Sequence, residues 1–259
     1  MTIAPIQSKR IGEPVTGQAR FERKFFIPVS KVALARHLLT HSCVKDRQHS
    51  RSLVNSIYYD TPDLDYFTES EEGNCRRHKV RFRWYDRPWE HGAMATAYLE
   101  LKGKHGFTGT KTRQAFAIPS TTLARPRASA RLISDTVLRQ TLTQMNGPCQ
   151  TLLQPVVHIA YDRLRYTHPL TELRLSLDWN IRSTLLSPVC SRQESLVTLS
   201  GAVMEIKGPN MTLPPTLDAL RKLGTDWTRY SKYAGCLTTH FETAGTMGRL
   251  SPSGRIVTL

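Results

Sequence analysis

The sequence predicts an α+β fold in which an eight-stranded antiparallel sheet forms a barrel or a deeply curved surface, with helices packed outside it. Two observations predict this class. Eight segments alternate between polar and apolar residues with a period of two, which places every second side chain on one face of a strand. Other segments carry apolar residues at helical spacing and end at turn residues. The length of 259 residues suits a single domain of this kind.

The strands are predicted in chain order from the alternation. Aliphatic and aromatic residues occupy every second position in most of these segments, as half-buried strands require. The predicted strands cover residues 20–27, 53–59, 79–85, 95–102, 111–118, 155–165, 172–178 and 201–207. Eight strands of this length favour a closed barrel or a strongly curved antiparallel sheet.

Helices are predicted in the intervals between the strands. Ser30 is a candidate N-cap for the first of them, because it precedes an apolar stripe. Gly147 and Gly224 mark the ends of two others, since glycine commonly terminates a helix. The predicted helices cover residues 30–40, 128–145 and 215–223, and a short fourth one follows Ser231.

One folded domain is predicted over residues 19–241. Residues 1–18 and 242–259 are punctuated by Gly and Pro and lack periodicity, so both are expected to be flexible. No run approaches the roughly eighteen apolar residues of a membrane helix, and the start lacks the apolar core of a secretory signal. The five cysteines show no paired metal spacing, which suits a reducing compartment. The chain is therefore expected to be cytoplasmic.

The chain is strongly basic. It has 36 Lys and Arg residues against 21 Asp and Glu, which gives a formal net charge of +15. Such a surplus excludes an acidic chaperone or an acidic disordered protein. It predicts anionic partners, such as nucleic acid, anionic lipid or phosphate compounds, and it does not bear on the fold.

Many of these charges lie in the strands. In six strands one face is dominated by Lys and Arg with an occasional carboxylate, and the other face is aliphatic or aromatic. Arg81 and Arg83, for example, share a face from which Phe82 points away. One interpretation is a set of solvated charged faces, which antiparallel sheets commonly have. The other is a common basic interior, which is stable only if a polyanion fills it for part of the time.

Nine motifs occur in order along the chain. They are FERKFFIP (21–28), NSIYYDTPDLDYF (55–67), HKVRFRWY (78–85), AYLELKGK (97–104), TGTKTR (108–113), PVVHIAYDRLRY (155–166), LRLSLDW (173–179), AVMEIKG (202–208) and RYSKYAGCL (229–237). In this combination the sequence resembles the VTC domain, the polyphosphate polymerase module of the triphosphate tunnel superfamily that also includes the CYTH proteins.

The resemblance implies an eight-stranded antiparallel tunnel with helices outside it. It also implies transfer of the γ-phosphoryl group of ATP onto a polyphosphate chain, with ADP released and with Mn²⁺ or Mg²⁺ as cofactor. Two alternatives would use the same tunnel: a metal-dependent triphosphatase acting on inorganic triphosphate or nucleotides, and a non-catalytic binder of polyphosphate or other polyanions. Nucleic acid is the least favoured partner, because the basic strands lack interleaved exposed aromatic residues.

The resemblance assigns the residues of the site position by position. The cations expected to act on the phosphates in catalysis are Lys24, Arg81, Arg83, Lys102, Arg163, Arg174 and Lys232. The further substrate-binding positions are Lys111, Arg113, Lys207, Arg229 and Ser231. Lys111 and Arg113 are alternatives for one basic contact, and Arg229 stands where the family pattern has Lys. Glu205 takes the position of the metal ligand.

The residue types suit phosphoryl transfer. A triphosphate carries about four negative charges near neutral pH, and its transfer passes through a loose transition state whose charge spreads over the phosphate oxygens. Arg binds such oxygens bidentately and stays ionised, whereas Lys acts as a point charge. One divalent ion held by a carboxylate and by the phosphates fits the preference of Mg²⁺ for hard oxygen ligands.

Two features depart from the family pattern. Hydrolytic CYTH relatives begin with an ExExK strand whose glutamates help to bind metal, whereas this chain has Arg20, Glu22 and Lys24 there. The missing carboxylate favours the polymerase over the triphosphatase. The chain also lacks the SPX and transmembrane regions of eukaryotic VTC proteins, so any coupling to a membrane is expected to come from a membrane-protein partner.

Glu22, Glu100 and Asp178 are expected to pair with neighbouring cations.

Overall fold

The computed structural model describes most of the chain between residues 21 and 243. The described ranges are residues 21–90, 92–106, 108–125, 132–148, 152–187, 196–209, 212–223 and 230–243. The predicted flexible segment 1–18 lies outside them, as does 244–259 of the predicted C-terminal tail. Residues 242 and 243, which the sequence assigns to that tail, are the last two residues of a helix.

Within the described residues, nine strands form one sheet. They are β1 (Phe21–Ile27), β2 (Val44–Lys45), β3 (Arg51–Asp60), β4 (Arg76–Tyr85), β5 (Met94–His105), β6 (Thr108–Pro119), β7 (Gln154–Thr167), β8 (Arg174–Leu185) and β9 (Leu196–Gly208). All eight predicted strands are present, and most of them are longer than the alternation indicates. The sequence does not predict β2, because two residues are too few to show an alternating pattern.

The sheet is antiparallel throughout, with the strand order β1-β9-β8-β7-β3-β4-β5-β6 and with β2 attached to β7. β1 and β6 are the two edges, and no ladder joins them in the described part of the chain. The predicted closed barrel is therefore not confirmed, because closure requires these edges to pair. The α+β class and the antiparallel sheet are confirmed. Irregularities in register, which bend strands, occur at Tyr58/Tyr59, Ala160/Asp162 and Trp179/Ile181.

The sheet curves enough to bring the charged faces of distant strands together. Glu22 and Lys24 of β1 act electrostatically on Lys79 of β4, although four strands separate β1 from β4 in the pairing order. The same two residues act on Lys102 of β5. The charged faces therefore line one common hollow, which we define as the space on the concave side of the sheet. Of the two interpretations of the charge pattern, the basic interior is the correct one.

Five α-helices and three 3₁₀ helices accompany the sheet in the described ranges. The α-helices are α1 (Val32–Ser42), α2 (Asp65–Glu71), α3 (Ser120–Ala124), α4 (Asp135–Gln144) and α5 (Lys232–Thr243), and the 3₁₀ helices are Val29–Lys31, Pro88–Glu90 and Pro215–Leu223. None of the described helices combines the length and the apolarity needed to cross a bilayer. The sequence does not predict α2 and α3, which are only 7 and 5 residues long.

The starts of two predicted helices differ from the structure. Ser30 lies inside the 3₁₀ helix before α1. Lys31 occupies the N-cap, and its side chain makes no capping hydrogen bond, so the predicted Ser30 cap is wrong. The helix predicted over 128–145 begins only at Asp135. Ser134 caps it, because its Oγ accepts a hydrogen bond of 3.3 Å from the N–H of Val137. Residues 126–131, which include the start of the predicted helix, lie outside the described residues.

Two of the three apolar clusters pack on the convex side of the sheet. Leu138 and Leu142 of α4 cover Trp84 there, and α1 covers β8 and β9 in the same way. The third cluster lies on the concave side, where Leu237 of α5 packs with Tyr58 of the charged face. Helices were predicted outside the sheet only, and α5 is the exception. Its first residues are polar groups that pair with buried charges, which is why it enters the hollow.

Candidate active site

The hollow contains more positive than negative charge. Nine cationic side chains of the described residues are linked there by ion pairs or by mutual electrostatic interaction: Lys24, Lys79, Arg81, Arg83, Lys102, Lys111, Arg163, Lys207 and Lys232. Four carboxylates lie among them: Glu22, Glu100, Asp178 and Glu205. The formal excess of this set, which we call the basic cluster, is five positive charges.

Glu100 on β5 organises one half of the basic cluster. Arg81 donates to its Oε2 from Nε at 2.8 Å and from Nη2 at 2.6 Å. Lys111 on β6 lies 2.6 Å from Oε1, and Arg83 lies 3.9 Å from Oε2. Only 1% of the Glu100 side chain is exposed. The expected pairing of Glu100 with neighbouring cations is confirmed, and it fixes the direction of the Arg81 guanidinium.

Asp178 on β8 organises the other half. Arg163 on β7 donates to Oδ1 from Nε at 2.5 Å and to Oδ2 from Nη2 at 2.7 Å. The ammonium of Lys232, the first residue of α5, lies 2.7 Å from Oδ2. Asp178 is fully buried. A strand residue and a helix residue distant in sequence are thereby held in one network.

Glu205 on β9 has looser contacts. Its carboxylate is 10% exposed, and each of its described cationic neighbours lies at 3.4 Å or more. These neighbours are Lys232 at 3.4 Å, Lys207 at 3.5 Å, Arg163 at 3.8 Å and Lys24 at 4.0 Å. The contacts at Glu100 and Asp178 are shorter by more than half an ångström at their closest. Glu205 is therefore a buried carboxylate with room for a closer ligand.

The surrounding cations keep these carboxylates ionised. Burial alone would raise the pKa of Glu100, but the guanidinium of Arg81 and the neighbouring cations hold that pKa far below its usual value. Burial likewise acts to raise the pKa of Glu205, and Lys232 with Lys24 outweighs it, so that this pKa also lies well below the usual range. Both groups are charged at neutral pH.

Neutral hydroxyl groups complete the hydrogen bonding of the two β4 arginines. Arg81 donates from Nη1 to the hydroxyl of Tyr58 at 3.0 Å. Arg83 donates from Nε to Ser56 Oγ at 3.1 Å and from Nη2 to the hydroxyl of Tyr161 at 3.2 Å. These partners orient the guanidinium groups without cancelling their charge. Arg83 in particular remains a buried cation with no carboxylate closer than 3.9 Å among the described residues.

The start of α5 contacts the charged face of the sheet. Ser231 precedes the helix, and its Oγ accepts a hydrogen bond of 2.9 Å from Lys79 Nζ. The hydroxyl of Tyr233 donates to Asp60 Oδ2 at 2.5 Å, and its ring stacks on Tyr58 with a centroid separation of 4.9 Å. Ser231 and Lys232, both predicted from the family motif, are thus brought to the basic cluster.

Asp60 anchors this end of the site from the last position of β3. It is fully buried, and it accepts hydrogen bonds from the backbone N–H groups of Thr61, Tyr66 and Phe67 as well as from Tyr233. Burial raises the pKa of Asp60 to about 6 in spite of these donors. The carboxylate therefore ties β3, the start of α2 and α5 together.

Lys111 and Arg113 of β6, the two alternatives for one basic contact, occupy different environments. Lys111 reaches Glu100, whereas the guanidinium of Arg113 lies 4.9 Å from the ring centroid of Tyr98. Both belong to the same face of β6, because they are two residues apart. Lys111 is the one that joins the basic cluster directly.

Two other predicted residues, Arg174 and Lys102, are not brought into these networks. Arg174 at the start of β8 is exposed, and it makes no ion pair with another described residue. Lys102 lies among the cations of the hollow, yet no carboxylate of the described ranges is within ion-pair distance of it. Burial and neighbouring cations hold the pKa of Lys102 well below its usual value. Arg229 lies outside the described residues.

Glu205 is the residue best suited to hold a divalent cation. Carboxylate oxygens are the ligands that Mg²⁺ and Mn²⁺ prefer, and Glu205 lacks short competing contacts. Glu22 on the adjacent strand lies beside it, since both carboxylates contact Lys24 and Lys207. In the described ranges no three His, Cys, Asp or Glu side chains converge on one metal position. An ion bound at Glu205 would therefore need ligands from phosphate oxygens or water.

Sequence reasoning missed several residues of the site. Lys79 shares a face with Arg81 two residues later, so the alternation alone could have included it. Tyr58, Ser56 and Tyr161 gave no signal, because uncharged residues on a charged face resemble ordinary packing. Their roles follow only from the distances given above.

A scan against family models matches residues 19–241 to the VTC domain. Among solved structures, a proposed adenylate cyclase from Bacillus halodurans is similar, with 14% identity, a TM-score of 0.45, and coverage of 83% of this chain and 94% of that one. A second proposed adenylate cyclase, from Vibrio parahaemolyticus, has 13% identity, a TM-score of 0.38, and coverage of 88% and 90%. No curated protein matches the sequence. Because the family model spans the motifs that line the hollow, the chain belongs to the VTC domain family.

Proposed function

We propose that the chain is a polyphosphate-synthesising phosphotransferase, which moves the γ-phosphoryl group of ATP onto a polyphosphate chain inside the hollow. The observation that carries the proposal is the uncompensated charge of the basic cluster. Nine cations and four carboxylates leave a formal excess of five positive charges in a partly buried space. A triphosphate, which carries about four negative charges, would offset this excess and would favour the charged forms of Lys79 and Lys102, whose pKa values are lowered in the free protein.

The two carboxylate networks supply rigidity for this reaction. Arg81 and Arg163 are each held by two hydrogen bonds to one carboxylate, so their remaining N–H groups point in fixed directions. Preorganised donors stabilise developing charge without the cost of reorganising during the reaction. Arg83 adds a cation that its hydroxyl partners orient and leave charged. These arginines would grip phosphate oxygens along a chain and hold donor and acceptor in line.

Glu205, supported by Glu22, would hold a divalent ion, and Mn²⁺ or Mg²⁺ fits this oxygen ligation. Such an ion, when bound, neutralises charge on the phosphate oxygens and fixes their orientation. Lys207 and Lys24 lie 3.5 Å and 4.0 Å from Glu205, and in this proposal they would contact the same phosphates.

The proposed reaction requires no nucleophile from the protein. A terminal oxygen of the acceptor polyphosphate attacks the γ-phosphorus of ATP, the bond from that phosphorus to the bridging oxygen breaks, and ADP leaves with the electron pair. The chain's own residues act by binding, aligning and neutralising the reactants. Lys111 and Lys102 lie on the β5–β6 side, where they would balance charge on one end of the aligned chain.

The test is product analysis. The full chain is incubated with ATP in the presence and absence of Mn²⁺, and products are resolved on a polyacrylamide gel stained for polyphosphate, with orthophosphate measured in parallel. We expect a ladder of long chains that requires Mn²⁺. Arg87→Ala provides a matched control, because Arg87 is an exposed arginine outside the hollow that pairs only with Glu90 in the described structure.

Release of orthophosphate without a ladder would contradict polymer synthesis and identify a triphosphatase using the same site. Binding of polyphosphate without turnover of ATP would identify a non-catalytic binder. Glu205→Ala distinguishes the non-catalytic binder from the enzyme by a second measurement. A binder that needs no metal keeps its affinity for polyphosphate when this carboxylate is removed.

A further inference from the structure

Lys79 is a cation of the hollow that has no carboxylate within ion-pair distance among the described residues. It lies on β4 two residues before Arg81, and in the sheet register it is directly opposite Lys102 on β5. Like charges placed opposite each other on neighbouring strands destabilise a sheet. Neither lysine has a carboxylate within ion-pair distance in the described part of the chain. Of the described carboxylates, Glu22 acts electrostatically on both lysines, and a bound anion would balance the pair more closely.

The groups around Lys79 come from four elements. They are Glu22 and Lys24 on β1, Arg77 and Arg81 on β4, Lys102 on β5, and Ser231 before α5. Of these, Glu22 is the sole carboxylate, and it acts at a distance. The hydrogen-bond partner of Lys79 is the neutral Oγ of Ser231, which lies 2.9 Å from Lys79 Nζ.

Other lysines of the basic cluster differ in this respect. Lys111 lies 2.6 Å from Glu100, and Lys232 lies 2.7 Å from Asp178. Burial, followed by the charges of Lys24 and Arg81, lowers the pKa of Lys79 to about 7. At neutral pH the free protein therefore holds this amine partly unprotonated. An anion arriving beside Nζ would favour the charged form.

We propose that Lys79 is a further phosphate-binding residue of the hollow and that it takes up a proton from solvent when an anionic phosphate chain binds. This inference rests on the proposed function for the class of ligand and adds a titrating contact to it. The proton passes from water or buffer to Nζ, and no bond of the ligand forms or breaks in the step. Binding should accordingly weaken as the pH rises from 6.5 to 8.5.

The experiment is isothermal titration calorimetry of inorganic tripolyphosphate into the full chain without added metal. Titrations in buffers of different ionisation enthalpy give the number of protons taken up on binding. Lys79→Arg keeps a cation that does not titrate in this range. We expect it to take up fewer protons than the wild type and to bind more tightly than the wild type at pH 8.5.

Lys79→Met removes the cation altogether. We expect its affinity at pH 6.5 to fall by about tenfold or more, as loss of a charge-assisted hydrogen bond predicts. The matched control is Lys45→Met, because Lys45 is an exposed lysine of β2 outside the hollow. It should bind as the wild type does. Circular dichroism establishes that each variant is folded.

Three results would overturn the inference. The first is wild-type affinity in Lys79→Met, and the second is unchanged proton uptake in Lys79→Arg. The third is a covalent phosphate on Ser231 after incubation with ATP, found by mass spectrometry, which would mean that Lys79 serves Ser231 as a base. If wild-type protein binds no tripolyphosphate, the proposed function fails as well. If the wild-type protein binds tripolyphosphate and the Lys79 variants match it in affinity and proton uptake, the inference about Lys79 is refuted and the proposed function stands.

Discussion

Replacing Glu100 by Gln should destabilise the free protein strongly. Glu100 is almost fully buried and compensates Arg81 and Lys111 at 2.6 Å each, with Arg83 at 3.9 Å. Breaking a buried ion pair by removing one partner costs about 3–5 kcal/mol, because the other charge is left uncompensated. For a domain of this size that corresponds to a fall in Tm of roughly 6–20 °C. Three neighbouring cations place the expected effect toward the upper part of that range.

The assay is urea denaturation at pH 7 followed by circular dichroism, with and without saturating tripolyphosphate. The ligand should recover part of the loss, because a bound anion replaces the missing carboxylate charge. Glu90→Gln is the control: Glu90 pairs with Arg87 on the surface, so its loss should cost about 0.5 kcal/mol or less. An unfolding free energy of Glu100→Gln within about 1 kcal/mol of the wild type would refute the claim that Glu100 compensates buried cations.

Three further outcomes are expected. Glu205→Gln should abolish Mn²⁺-dependent turnover with the circular dichroism spectrum retained, and undiminished turnover would remove Glu205 from the metal role. Arg81→Ala and Arg83→Ala should each lower kcat by about 10²–10³-fold, since each removes a preorganised donor to developing charge; unchanged kinetics would mean that this face does not meet the substrate. Asp60 has its pKa raised to about 6 from an ordinary 3.8, so the folded state binds the proton more tightly. The stabilisation of the folded state that comes from this tighter proton binding is full below about pH 4 and is lost as the pH rises through 6. Asp60→Asn should flatten this part of a plot of unfolding free energy against pH, and an unaltered slope would contradict the raised pKa.

The strands could be predicted because the alternation of charged and apolar residues is the same signal that builds the site. In β4, for instance, Arg81 and Arg83 mark one face while Phe82 and Trp84 mark the other. The pattern also indicated a common interior, which the curvature of the sheet confirms. Whether the sheet closes could not be predicted, because alternation is identical in an open and a closed sheet.

The contacts of the site could be predicted only in part. Pairing of Glu100 and Asp178 with cations was expected. The choice of Arg81 and Arg163 as the partners that donate two hydrogen bonds each depends on register, which alternation does not specify. The placement of α5 on the concave side was likewise out of reach. An amphipathic helix shows which of its faces is apolar, and it does not show which side of a sheet receives it.

The position of α5 late in the chain bears on how the protein is made. Translation delivers all nine strands before Lys232 leaves the ribosome. Until then Asp178 and Glu205 each lack the Lys232 ammonium, and Asp60 lacks the hydrogen bond from Tyr233. A nascent polypeptide halted before this helix would thus carry the sheet without the helix that contacts its charged face, so truncation there removes a part of the site itself.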